Sequence, residues 1–87
     1  MHMPVKILYF AWVREKIGRA EDHVDVPPNI ETIAQLVDWL KQRGPEYAEA
    51  FARSDVVRVA INQVHVKATA SIAGAREIAF FPPVTGG

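Results

Sequence analysis

Glu77-Ile78-Ala79-Phe80-Phe81-Pro82-Pro83-Val84-Thr85-Gly86-Gly87 decides how this chain is read. Its first five residues have the length and the β-branched and aromatic content of a strand. Strand alternation sends Phe80 and Phe81 to opposite faces, one into a core and the other free to meet a partner or cover the back of a sheet. Pro82 and Pro83 then hold the backbone extended, each ring fixing φ near about −65° and removing an N–H. From Val84 the side chains shrink to the Gly86-Gly87 pair. The segment from Pro82 to Gly87 spans on the order of 20 Å at about 3.3 Å per residue, enough to carry a terminal carboxylate into another protein. The carboxylate of Gly87 is therefore the candidate functional group.

The rest of the chain supplies a base for that tail. Val5-Lys6-Ile7-Leu8-Tyr9-Phe10-Ala11 reads as a strand with apolar groups on both faces, hence a central one. Trp12–Gly18 loses the alternation and ends on a glycine, which suits a short helical turn closed by a left-handed residue. A second strand is expected at about His23–Val26, with Val24 and Val26 inward and His23 and Asp25 outward. Pro27-Pro28 stops it.

From Thr32 the period becomes helical: Ile33, Leu36, Val37 and Leu40 share one face. Thr32 and Gln35 match a capping box at its start, and Gly44 before Pro45 predicts a left-handed cap at its end. Glu46–Arg53 suggests a second short helix through Tyr47, Ala48 and Phe51. Val56–Ile61 reads as a strand with Val57, Val59 and Ile61 on one face. Asn62-Gln63 reads as a turn, and Val64–Val66 as a brief return strand. Strand, strand, long helix, strand, short pairing, strand is most simply packed as one helix crossing a small mixed sheet. The first and last strands are expected to be central and parallel, which fixes the Phe pair at the end of the sheet.

Composition narrows the chemistry. At 87 residues, 49% of them hydrophobic, the chain is one small domain with just enough core to fold alone. Ten basic and ten acidic side chains cancel without blocks, so no footprint for nucleic acid or an anionic membrane is expected. The absence of cysteine excludes disulfides, thiolate metal sites and a thiol nucleophile; any sulfur chemistry must use acquired sulfur. The longest apolar run, Ile7–Val13, is far short of a membrane span, and with no signal-type N-terminus a cytoplasmic location is the expectation.

Other candidate sites are weak. His2, His23 and His65 have no ligand spacing, so no metal site is expected, and a second Met beside His2 removes functional weight from that residue. Ser54 and Ser71 lie in no nucleophile-elbow context. Arg14-Glu15 reads as an exposed ion pair. The tail offers instead a carboxylate on a residue without Cβ. Transfer of AMP from ATP would make it an acyl-adenylate, and a sulfur donor could replace the AMP, leaving a thiocarboxylate at the end of a tether.

At this point the chain resembles the small, sulfur-carrying subunit of molybdopterin synthase (MoaD type), among the ubiquitin-like sulfur carriers. The likeness runs over Lys6–Ala11 with Arg14-Glu15 and Gly18, the helix from Thr32, Ala60-Ile61-Asn62-Gln63, and above all Glu77–Gly87. Gly-Gly alone would also fit carriers for thiazole synthesis or tRNA thiolation, or a ubiquitin-like protein modifier; Phe-Phe-Pro-Pro-Val before it looks like the molybdopterin branch.

The resemblance implies an α+β, β-grasp fold: a mixed sheet of four to five strands on one main helix, residues 1–81, with a protruding tail over 82–87. It implies that an ATP-using activating enzyme (MoeB type) adenylates Gly87. A sulfur donor such as a cysteine desulfurase or rhodanese then gives a covalent 1-thioglycine. Pro82, Pro83, Val84, Thr85 and Gly86 would enter a tunnel in the large subunit (MoaE type), with Phe80 and Phe81 at the interface, in a heterotetramer. There sulfur would pass to cyclic pyranopterin monophosphate to build the dithiolene that later holds molybdenum. The small subunit is implied to be no enzyme by itself and to hold no permanent cofactor. One departure stands out: Gly74-Ala75-Arg76 replaces the family's acidic-glycine turn, and since Ala75 disfavours positive φ, the turn is expected to shift to Gly74.

Overall fold

A computed structural model describes residues 4–83. The chain runs β1 (Val5–Tyr9), α1 (Ala11–Ile17), β2 (Glu21–Val24), α2 (Ile33–Lys41), α3 (Pro45–Ala50), β3 (Arg58–Ile61), β4 (Val64–Val66) and β5 (Glu77–Phe81). The strands form one sheet in the order β2-β1-β5-β3-β4. β1 and β5 are parallel, with Ile7 opposite Ile78 and Tyr9 opposite Phe80, while the other pairings are antiparallel. The expected central placement of the first and last strands is therefore present.

Alternation divides the sheet into two unlike faces. Val5, Ile7 and Tyr9 of β1, Ile78 and Phe80 of β5, Val59 of β3 and Val24 of β2 point to the helices and are buried. Ile33, Leu36, Val37 and Leu40 of α2 meet them, as do Val13 and Ile17 of α1 and Tyr47, Ala50 and Phe51 in and after α3. Burying a side chain of this size stabilises the fold by about 1.5–3 kcal/mol, so this face is the main source of stability. The opposite face carries no helix among the described residues.

Local signals in the sequence are realised closely. The Thr32 hydroxyl accepts from Gln35 N–H at 3.2 Å while the Gln35 side chain accepts from Thr32 N–H, completing the capping box. Asn62 and Gln63 both have positive φ, 49° and 71°, the two-residue hairpin geometry that matches strand twist. The shifted turn occurs where expected: Gly74 has φ 77°, and Ala75 N–H donates to the Ile72 carbonyl at 3.0 Å. Gly18 closes α1 at φ 87°.

Three expectations are corrected. Gly44 is extended, at φ 166° and ψ 165°, rather than left-handed. Pro45 opens α3, so Gly44 serves as the N-cap of the next helix, and a residue before proline is driven out of the helical region. Meanwhile α2 closes on a tight turn, with Gln42 N–H donating to Trp39 and Arg43 N–H to Leu40. Second, β2 begins two residues earlier than predicted and ends at Val24, which puts Asp22 in phase with Val24 on the inner face. Third, Arg14 and Glu15 do not pair; Lys16 reaches Glu49 at 3.2 Å instead. Successive helical residues point apart, whereas Lys16 faces the neighbouring α3.

Candidate functional site

β5 is the base of the tail. Held by β1 on one side and β3 on the other, it cannot slip without breaking both ladders. Phe10 N–H donates to the Phe80 carbonyl at 3.1 Å, extending the β1–β5 pairing to the last turn before Pro82. Pro82 and Pro83 are half-buried at the sheet's end. Val84, Thr85, Gly86 and Gly87, the expected reactive end, lie outside the described residues.

The two phenylalanines have separate roles. Phe80 is 1% exposed and sits edge-on to Phe51, ring centroids 5.0 Å apart. It anchors the strand in the core and has no surface to offer a partner, which corrects the expectation of both rings at an interface. Phe81 projects to the helix-free face and is half-buried there, tilted against His65 with centroids 5.1 Å apart.

That open face has a definite pattern. In strand register, Leu8, Ala79, Ala60 and His65 form a row across β1, β5, β3 and β4. Phe10, 47% exposed, and Phe81 stand in the adjoining row at the tail's root, next to Arg58. The next row the other way is polar: His23, Lys6, Glu77. Small alanines in the middle leave the larger side chains standing above them, so the face offers a shallow apolar patch with a charged rim. Ala11, directly after Phe10, has φ 53°, a left-handed geometry that costs an L-residue roughly 1–2 kcal/mol. The chain accepts that strain where it turns from β1 into α1 and leaves Phe10 on the surface.

On the inner side the structure brings together a cluster that sequence reading missed. Asp22, 6% exposed, accepts hydrogen bonds from the Tyr9 hydroxyl at 2.9 Å, the Tyr47 hydroxyl at 2.6 Å and Arg19 at 2.8 Å. Burial alone would raise the Asp22 carboxyl, but the donors Tyr47, Arg19 and Tyr9 outweigh it and hold it below the usual carboxylate range. Burial, reinforced by the Asp22 charge, pushes both tyrosines upward. The cluster ties β1, β2 and α3 together beneath the tail's base, and its polar groups are fully satisfied: among the described residues no buried side-chain nitrogen or oxygen lacks a partner. The available signal was the alternation of Asp22 with Val24, readable only if the strand is started at Glu21.

Among the described residues, no three His, Cys, Asp or Glu side chains come together as a metal site, and no helix is long and apolar enough to cross a membrane. His23 binds Glu21 at 2.8 Å on the exposed edge strand. Ser71 forms an isolated bridge with Thr32, and its hydroxyl accepts from Ala73 N–H, a turn-forming role. Two large apolar side chains are exposed among the described residues, Phe10 beside Phe81 at the exit of the tail and Val64 at the far end of the edge strand β4.

Comparison with known proteins agrees with this geometry. The ThiS family model matches residues 7–87, through to the terminal glycines. A molybdopterin synthase sulfur carrier subunit of Haemophilus influenzae is 36% identical over 83 residues, covering 95% of this chain and 99% of that protein. The protein of the same name from Escherichia coli is 34% identical with the same coverage. Among solved structures, SAMP1 from Haloferax volcanii superposes with a TM-score of 0.72 at 26% identity, covering 97% of this chain and 99% of that one. A Caldiarchaeum subterraneum ubiquitin, at 17% identity and a TM-score of 0.54 over the whole of both chains, shares the fold alone. The mixed five-stranded sheet under its helices is thus the ubiquitin-like β-grasp, an α+β fold.

Proposed function

The chain belongs to the ThiS family, and from that premise we propose that it is the sulfur carrier subunit of a molybdopterin synthase. The observation that carries the reading is the direct run of a doubly paired central strand into Pro82-Pro83 and the Gly-Gly end, in a chain whose relatives of that name match over nearly their full length. The chain is the non-catalytic subunit of its complex and supplies a reactive terminus to a site elsewhere.

In this reading the Gly87 carboxylate attacks the α-phosphorus of ATP on a MoeB-type activating enzyme, expelling pyrophosphate. The outer sulfur of a persulfide carried by a cysteine desulfurase or rhodanese then adds to the acyl carbon, and AMP leaves. A thiol reduces the resulting acyl disulfide, taking up the donor's sulfur in a new disulfide, and the product is the 1-thioglycine thiocarboxylate. Gly86 without a Cβ lets the activating site close around the reacting carbon, and Pro82 and Pro83 reduce the roughly 1–2 kcal/mol per residue lost when a flexible segment is ordered. Inserted in the large, MoaE-type subunit, the thiocarboxylate gives its sulfur to cyclic pyranopterin monophosphate, and water restores the carboxylate. Phe81, with Phe10 and Leu8 beside it, is the patch that the large subunit covers while the tail from Pro82 to Gly87 enters its tunnel. The pterin-binding residues belong to that subunit, the assembly is a heterotetramer, and the work is done in the cytoplasm.

Intact-mass analysis tests the first half. Incubation with ATP, the activating enzyme and a sulfur donor should add about 16 Da at the C-terminus, oxygen replaced by sulfur; no gain in a system that thiolates another carrier overturns the reading. Complementation tests the second half: rescue of only a thiazole or tRNA-thiolation mutant, or isopeptide-linked adducts in extracts, assigns the tail to one of the other uses of the fold.

A further inference from the structure

We propose that His65 makes docking on the open sheet face pH-dependent, because the surface that covers this face accepts the imidazole only when it is neutral. The proposal rests on the reading above that the large subunit covers the patch around Phe81, and it adds a proton to that binding equilibrium.

His65 occupies an unusual place for an ionisable residue. It lies directly opposite Ala60 in register, and the row continues through the apolar Ala79 and Leu8 before ending at Glu21 on the far edge strand β2. Its ring leans on Phe81, the residue immediately before Pro82, so a partner that grips the root of the tail must also cover the imidazole. Histidine is the side chain whose charge ordinarily changes between about pH 5 and 8. Covering it with apolar surface penalises the charged form, since a buried cation without a counter-charge is costly.

The surrounding charges do not offset that penalty. On β3 the flanking outward positions are Arg58 and Asn62; on β5 they are Phe81 and Glu77; Lys67 follows two residues along from His65; and Lys6 lies beyond, on β1. The cations Arg58, Lys67 and Lys6 outnumber the two carboxylates of this face, Glu77 and Glu21; Glu77 is in register with Lys6, and Glu21, four strands from His65, is bound to His23. The ion pairs among the described residues are Lys16–Glu49, Arg19–Asp22, His23–Glu21 and Arg53–Asp55, none of which includes His65. His23 is the contrasting case: it lies on the edge strand and carries its own carboxylate at 2.8 Å.

The sign follows from linkage. A proton that binds the free carrier better than the complex weakens association as pH falls, approaching about tenfold in Kd per pH unit once the free imidazole is mostly charged. Association at low pH then releases one proton per carrier.

The test is calorimetric titration of the full chain into the large subunit from the same source, from about pH 8 to about pH 5.5, the range in which an imidazole titrates. The native chain should bind at least about fivefold more weakly at the acid end, within the limit of one linked proton. His65→Leu should bind with nearly constant Kd, His65→Lys weakly throughout, and His23→Gln like the native chain. Both sites, His65 and His23, are exposed, so the three variants are expected to fold. A flat native profile, tighter binding in acid, or an unchanged pH dependence in His65→Leu overturns the proposal. Absence of binding at every pH overturns the docking reading itself, which separates the two failures.

Discussion

The Tyr47 hydroxyl donates to Oδ2 of Asp22 at 2.6 Å, and that one oxygen also receives Tyr9 at 2.9 Å, so a single carboxylate joins the third helix to the first two strands. Replacing Asp22 with alanine leaves the Tyr9 hydroxyl without its acceptor in a buried site. A loss of about 2–3 kcal/mol is expected, read as a fall in the urea midpoint with little change in slope.

The same cluster sets a pH dependence. The folded Asp22 pKa lies below its unfolded value, so its stabilisation is present above about pH 4 and is lost as pH falls through the folded value. Tyr9 and Tyr47 are shifted upward, so their contribution is present below about pH 10 and is lost as pH rises beyond it. Urea melts across pH should show both edges, and Asp22→Asn should flatten the acid one.

Asn62 offers a second test. Its side-chain oxygen accepts from the N–H groups of Arg76 and Glu77 at 3.0 and 3.1 Å, while its own N–H donates to the Glu77 carbonyl at 2.8 Å. The hairpin turn is thereby clamped to the start of β5. Asn62→Gly should cost about 1–2 kcal/mol from the lost acceptor. Asn62→Ala should cost about 1 kcal/mol more, because alanine resists φ 49°. Thermal melts of the pair separate the two contributions.

Phe80 and Phe81 should respond oppositely to the same substitution. Phe80→Ala opens a cavity beside Phe51 and is expected to cost about 3–5 kcal/mol of stability. Phe81→Ala should change stability by less than about 1 kcal/mol yet weaken large-subunit binding about tenfold or more, the behaviour of an aromatic anchor. Chemical denaturation and calorimetry on both variants check the contrast.

Gly18 isolates a backbone effect. A Cβ built there meets nothing within 4 Å, so Gly18→Ala should cost only the left-handed penalty at φ 87°, about 1–2 kcal/mol. A much larger loss in a thermal melt would point to an unseen packing role.

Much of this protein is written locally. The capping box at Thr32, the turn at Asn62-Gln63, the shift to Gly74 and the strand over Glu77–Phe81 each depend on neighbours within a few residues, and backbone sterics and short-range hydrogen bonds make them legible in order. The terminal motif is also read locally, but Val84–Gly87 lie outside the described residues, so its role stands as a reading of the sequence. Gly44 is ambiguous in sequence because two helices compete for it, and only the placement of α3 decides that it caps the second. Asp22 is not legible in sequence, because a carboxylate on an inner face is sensible only once Tyr9, Tyr47 and Arg19 converge on it from three places in the chain. Which phenylalanine anchors and which is presented also had to await the sheet. Alternation says that Phe80 and Phe81 differ, but it cannot say which side the helices cover. That choice belongs to the tertiary structure, because burial depends on what packs against a face and not on the residues that form it.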